Sequence, residues 1–300
     1  MYSMDLSMSK NWIDTHFHVF NAGVAVEDAR YVPQYSAQLS DWMKQAQNVG
    51  VTRGVWVQPS FLGTDNSLMI NALECHPDKL RGIAVVSPEA CIEQLETLHQ
   101  SGVRGIRLNL SGMSHDIPEW TRSDKIWAAI HRLNWHLEVH TDQGKLPHVL
   151  HQIPSDVSLV VDHMAKPMQA SASDPTLLAL KKRASVAPVY VKLSGAYRLG
   201  DVNPRRLASL LLREMGPSAL LWGSDWPCTN HEQFGHFETL IAQAHEWIDA
   251  QAFELVMVHN PSQLYGFEGL ISQDLRDINV RHPQTRHAPL GDETGSPAIP

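Results

Sequence analysis

The chain has 300 residues, 24 basic against 32 acidic side chains, a net charge of −8 and 43% hydrophobic residues, with a mean hydropathy of −0.23. These values exclude wholesale disorder and a bundle of membrane spans, and the acidic excess argues against a nucleic-acid partner, which needs a basic surface. No run reaches the roughly 18 apolar residues of a membrane span. Residues 1–11 lack the apolar core of a secretion signal and read as an N-terminal extension. Three cysteines, Cys75, Cys91 and Cys228, make no disulfide framework, so a cytoplasmic setting is expected.

In chain order, short β-branched runs alternate with amphipathic stretches of helical length. Strands are expected at 12–20, 53–59, 82–86, 105–110, 136–141, 158–163, 189–194 and 219–224. Helices are expected at 37–48, 66–76, 89–100, 124–133, 175–187, 204–215 and 232–250. Gly50 and Gly102 stand where a helix should stop before the next strand. Eight strand–helix units with nearly continuous apolar strands indicate parallel pairing with both sheet faces covered. The count favours a single (β/α)8 TIM barrel over residues 12–268; the competing open, doubly wound sheet lacks a GxGxxG after its first strand. Residues 269–300 mix charge, glycine and proline without period and read as a C-terminal tail.

A barrel of this kind assembles its site at the C-terminal ends of the strands. The first strand ends Asp14-Thr15-His16-Phe17-His18, and residues two apart in a strand face the same side. The fifth presents His140, the sixth His163 and the eighth Asp225. His16, His18, His140 and Asp225 can hold one Zn²⁺ while leaving a position for water. Asp225 then suits the role of base and His163 that of a donor to the oxyanion or leaving oxygen. The fourth strand offers no bridging lysine or glutamate, so a two-metal centre is not expected. Gln58 and Ser60, at the end of the second strand, are within reach of a substrate oxygen. Lys192 is expected inside the barrel, paired with Asp14 or Glu138.

These motifs resemble the amidohydrolase superfamily, and specifically its amidohydrolase-related branch. The marker segments are 13–18, Val161-Asp162-His163, Val191-Lys192-Leu193-Ser194-Gly195, Gly223-Ser224-Asp225-Trp226-Pro227 and the closing Asn260-Pro261. Arg30-Tyr31-Val32-Pro33, Gly63-Thr64-Asp65-Asn66 and 102–109 are similar to the lactonases of that branch that open pyrone-dicarboxylate and sugar-acid lactones. The resemblance implies hydrolysis of a small carboxylated lactone, with Arg104, Arg107 and Arg198 gripping substrate carboxylates in bidentate forks. One position departs. His140 stands where the pyrone-dicarboxylate lactonases, which work without metal, carry tyrosine, so the resemblance implies either one divalent ion or none. The alternative it implies is a metal-dependent decarboxylase of an aromatic or unsaturated carboxylate. The expected partner is a small anionic substrate, not nucleic acid or membrane, with a homo-oligomer left open.

Overall fold

Eight strands pair in parallel in strict sequence order in a computed structural model that describes residues 11–267. They are Trp12–Phe17 (β1), Val51–Val57 (β2), Leu80–Ala84 (β3), Val103–Asn109 (β4), His136–His140 (β5), Leu159–Val161 (β6), Val189–Leu193 (β7) and Leu220–Trp222 (β8). The sheet returns on itself where Phe17 bridges Trp226 and the Asp225 N–H donates to the His16 carbonyl over 2.8 Å. This is the (β/α)8 barrel expected. The extension expected over 1–11 and the tail expected over 269–300 lie outside the described residues, save Asn11.

Strands β2, β3 and β4 begin two residues before their expected starts. The reason is local: Gly50 and Gly102 adopt φ of 96° and 103°, which ends each helix and lets the next strand begin at once with Val51 or Val103. The expected helix at 232–250 is broken at Gly235 and His236 into a short turn, Glu232–Phe234, and a helix, Phe237–Trp247. Among the described residues no helix is long and apolar enough to cross a membrane.

Packing outside the barrel also positions the site. Gly54 on β2 leaves room for the Trp42 indole of the helix Leu39–Val49, where a β-carbon would overlap the ring. Seated there, Trp42 Nε1 donates to Asp14 Oδ2 over 2.9 Å. Asp14 also accepts from the Ser224 N–H at 2.8 Å, the Ser224 hydroxyl at 2.6 Å and the His16 N–H at 3.1 Å. A buried carboxylate with four donors ties β1 to the segment that follows β8, where His16 and Asp225 stand.

Candidate active site

The pairing of β1 with β2 slips by one residue between Asp14 and Phe17, a bulge that re-aims the end of the strand. His16 and His18 nonetheless converge, with their Nε2 atoms 3.2 Å apart. Asp225 Oδ1 lies 3.6 Å from His16 Nε2 and 3.5 Å from His18 Nε2. Asp225 has a φ of 56°, in the left-handed region. Its other oxygen, Oδ2, accepts from the Tyr197 hydroxyl at 2.7 Å and from Arg198 Nε at 2.8 Å. Burial opposes charge on this carboxyl, yet the Arg198 guanidinium and His163 hold it well below the usual carboxylate range. Burial and the same carboxylate push the Tyr197 phenol up, so it remains a donor.

The far side of each imidazole sets its tautomer. His18 Nδ1 lies 2.7 Å from the Val57 carbonyl, to which it donates, leaving Nε2 bare. His16 Nδ1 lies 3.1 Å from Asp162 Oδ1 and 3.1 Å from Lys192 Nζ. Lys192 Nζ can only donate, so when it bonds Nδ1 the His16 proton sits on Nε2 and points to the bare His18 Nε2. When the Nδ1 proton turns to Asp162 instead, His16 presents a bare Nε2 to the centre. Burial keeps His16 neutral by lowering its pKa well below the ordinary value. In that second tautomer three electron-rich atoms face one another, and among the described residues Asp225 Oδ1 has no hydrogen-bond partner. Such an arrangement is stabilised by a proton or a cation. Ligands of a tetrahedral Zn²⁺ stand about 3.3–3.4 Å apart, and the spacings here, 3.2–3.6 Å, fit one divalent ion.

His163 and His140 complete the group. Residues 163–166 all have positive φ, from 42° to 60°, and form a left-handed turn of non-glycine residues after β6. Each costs roughly 1–2 kcal/mol, and the turn holds the His163 ring 4.9 Å from that of His16 and 4.6 Å from that of His140. His163 Nδ1 lies 3.1 Å from the Ser194 hydroxyl, and Nε2 lies 3.9 Å from Asp225 Oδ2. Burial lowers its pKa to about 3, so it is neutral at pH 7. Both His140 nitrogens are buried without hydrogen-bond partners among the described residues, and the ring stands within ligand reach of Asp162 and His163, not in one group with His16, His18 and Asp225. Burial, then neighbouring His163, lowers its pKa well below the ordinary value.

Beneath these groups lies a buried ionic layer. Lys192 pairs with Glu138, which confirms one of its two expected partners, and lies 3.4 Å from Asp162 Oδ1. Arg107 donates to Asp162 Oδ2 at 3.1 Å and lies 3.7 Å from Glu138 Oε1. Burial and the neighbouring Asp162 push the Glu138 carboxyl up to about 8. Asp162 moves the other way: burial opposes its charge, but His16, Lys192 and Arg107 hold it well below the usual range.

A cavity of about 540 Å³ opens above this floor, lined by His18, Arg107, His140, His163, Arg198 and Asp225 among others. The structure therefore brings together nearly all the residues singled out in the sequence. Two stand apart. Arg104, one residue into β4, donates to the His99 and Val103 carbonyls at the opposite end of its strand. Gln58 is buried, and its Nε2 donates to the Asp65 carbonyl at 2.7 Å. Its side chain closes a loop instead of lining the cavity. Tyr197, Ser194 as a partner of His163, and Asp162 escaped assignment to roles in the site. For Asp162 a signal existed, since a carboxylate at a strand end beside two apolar residues needs a buried cation.

Fold and site together define a barrel hydrolase with an imidazole–carboxylate centre at its strand ends. The chain belongs to the amidohydrolase family, whose model matches residues 13–267. It is 28% identical over 276 residues to the 2-pyrone-4,6-dicarboxylate hydrolase of Comamonas testosteroni, covering 84% of this chain and 89% of that protein. It is 27% identical over 282 residues to the 4-sulfomuconolactone hydrolase of Rhizobium radiobacter, covering 88% and 92%. Among solved structures, a Pseudomonas putida protein assigned as a 2-pyrone-4,6-dicarboxylic acid hydrolase superposes with a TM-score of 0.76 at 31% identity, covering 87% of this chain and 100% of that one. A 5-carboxyvanillate decarboxylase of Sphingomonas paucimobilis shares the fold at 13% identity and a TM-score of 0.59.

Proposed function

We propose that this protein hydrolyses a small lactone that carries an anionic group. The observation that carries the reading is the half-committed carboxylate of Asp225: Oδ2 is held by Tyr197 and Arg198, while Oδ1 faces His16 and His18 with no hydrogen-bond partner among the described residues. A water at Oδ1 is oriented for attack on a carbonyl carbon and can pass its proton to that oxygen. With the Ser194 hydroxyl donating to Nδ1, neutral His163 keeps its proton on Nε2 and can donate to the carbonyl oxygen or to the departing ring oxygen. The water oxygen bonds to the acyl carbon, the bond to the ring oxygen breaks, and one proton is released as the new carboxylate ionises. A divalent ion such as Zn²⁺, held by His16, His18 and Asp225 with His163 within ligand reach, would polarise the carbonyl and lower the pKa of water towards roughly 7.

The lactone-opening relatives at 27–31% identity support hydrolysis over decarboxylation. Three cysteines without disulfide partners are in keeping with a cytoplasmic enzyme. The test uses 2-pyrone-4,6-dicarboxylate and 4-sulfomuconolactone as probe substrates. Ring opening predicts one proton released per turnover and no CO₂. Release of CO₂, or no turnover of any member of a lactone panel, would overturn the reading.

A further inference from the structure

Three arginines line the cavity: Arg30, Arg107 and Arg198. Two are already engaged. Arg107 is buried on Asp162 and Glu138, and Arg198 is clamped on Asp225. A guanidinium paired with an internal carboxylate has much of its field neutralised before any ligand arrives. Arg30 differs. It stands exposed in the loop between β1 and the helix Leu39–Val49, and among the described residues no ion pair or hydrogen bond occupies its side chain. Asp28 shares the same wall but makes no ion pair with it.

A second feature points the same way. Arg30 reaches across to the loop after β4, where a β-carbon on Gly112 would stand 3.4 Å from its NH1. Gly112 has a φ of 70°, and its N–H donates to Asp142 Oδ1 at 3.0 Å. The bare glycine backbone leaves the guanidinium space over the cavity. Apolar side chains such as Tyr31, Phe61 and Met113 share the cavity wall with neutral polar ones such as Ser60, Asn109 and Ser111, among which Arg30 is distinguished by its charge.

We propose that Arg30 binds the substrate's anionic group at the mouth, on the side of the lactone remote from the reacting carbonyl. The inference rests on the lactonase reading for its substrate, and it makes Arg30 a determinant of specificity for anionic over neutral lactones. An anchor that holds the anionic group equally in ground and transition states governs KM and not kcat, and that is the role assigned to Arg30.

The experiment compares wild type, Arg30→Gln and Arg30→Lys on 2-pyrone-4,6-dicarboxylate and on its dimethyl ester. Arg30→Gln should raise KM for the dicarboxylate about tenfold, with kcat within about twofold, and leave KM for the ester within about twofold. Arg30→Lys should recover part of the loss. Equal shifts for acid and ester, or no shift for either, would overturn the proposal. Should wild type turn over neither lactone, isophthalate titrated by calorimetry decides. Weaker isophthalate binding in Arg30→Gln than in wild type keeps the anchor while the lactonase reading falls, and unchanged binding removes the anchor.

Discussion

The floor and the mouth of the cavity are built on opposite terms. On the floor, His16, Glu138, Asp162 and Lys192 are wholly or almost wholly buried, and each imidazole or carboxylate is braced by a second group. At the mouth, Arg30 and Met113 are exposed on loops, and among the described residues Arg30 has no internal partner. A braced floor fixes the position of reacting groups to a fraction of an ångström, whereas a loosely held mouth can change what enters without disturbing the chemistry. The two regions should therefore respond differently to mutation: the floor in stability and kcat, the mouth in KM.

The largest effect should come from the ionic layer. Lys192→Met leaves Glu138 and Asp162 buried with Arg107 as their one remaining shared cation among the described residues, and urea unfolding should show a loss of about 3–5 kcal/mol. At the mouth, Arg30→Met should change stability by less than about 0.5 kcal/mol. Equal losses at both positions would erase the distinction.

Acid should next expose the floor of the barrel. Burial lowers the His136 pKa to about 3, below its ordinary 6.5, so the ring is neutral when folded and gains a proton on unfolding. Its contribution to stability is complete above pH 6.5 and declines continuously as the pH falls towards 3. The unfolding free energy measured between pH 7 and pH 4 should drop accordingly; a flat profile would show that the ring protonates in place. A smaller effect is expected from Tyr197→Phe, which removes one donor from Asp225 Oδ2. Here kcat should fall about tenfold with KM nearly constant, as steady-state kinetics would show; a rise in KM alone would place Tyr197 with the mouth.

How much of this could be read from the chain depends on how local the signal is. Residues two apart on a strand announce a shared face, so His16 with His18 was legible as an inward-facing pair. The same parity separates Arg104 from Arg107, three apart on β4: one turns to the strand's far end and the other into the cavity. Hydrogen bonds over long separations carry no such period. Gln58 reads as a polar strand end, yet Asp65 seven residues on claims its amide. Tyr197 reads as an ordinary loop aromatic, and only the closed barrel brings its hydroxyl to Asp225. The order of the strands was legible from alternation, while their starts depended on how abruptly Gly50 and Gly102 end their helices.

Replacing a single oxygen probes the floor most directly. In Asp225→Asn the side chain keeps its shape but cannot take a proton from water, so kcat/KM for lactone opening should fall by about a thousandfold or more while the urea midpoint shows a folded protein. Turnover within tenfold of wild type in a folded Asp225→Asn enzyme would contradict the assignment of this carboxylate as the base.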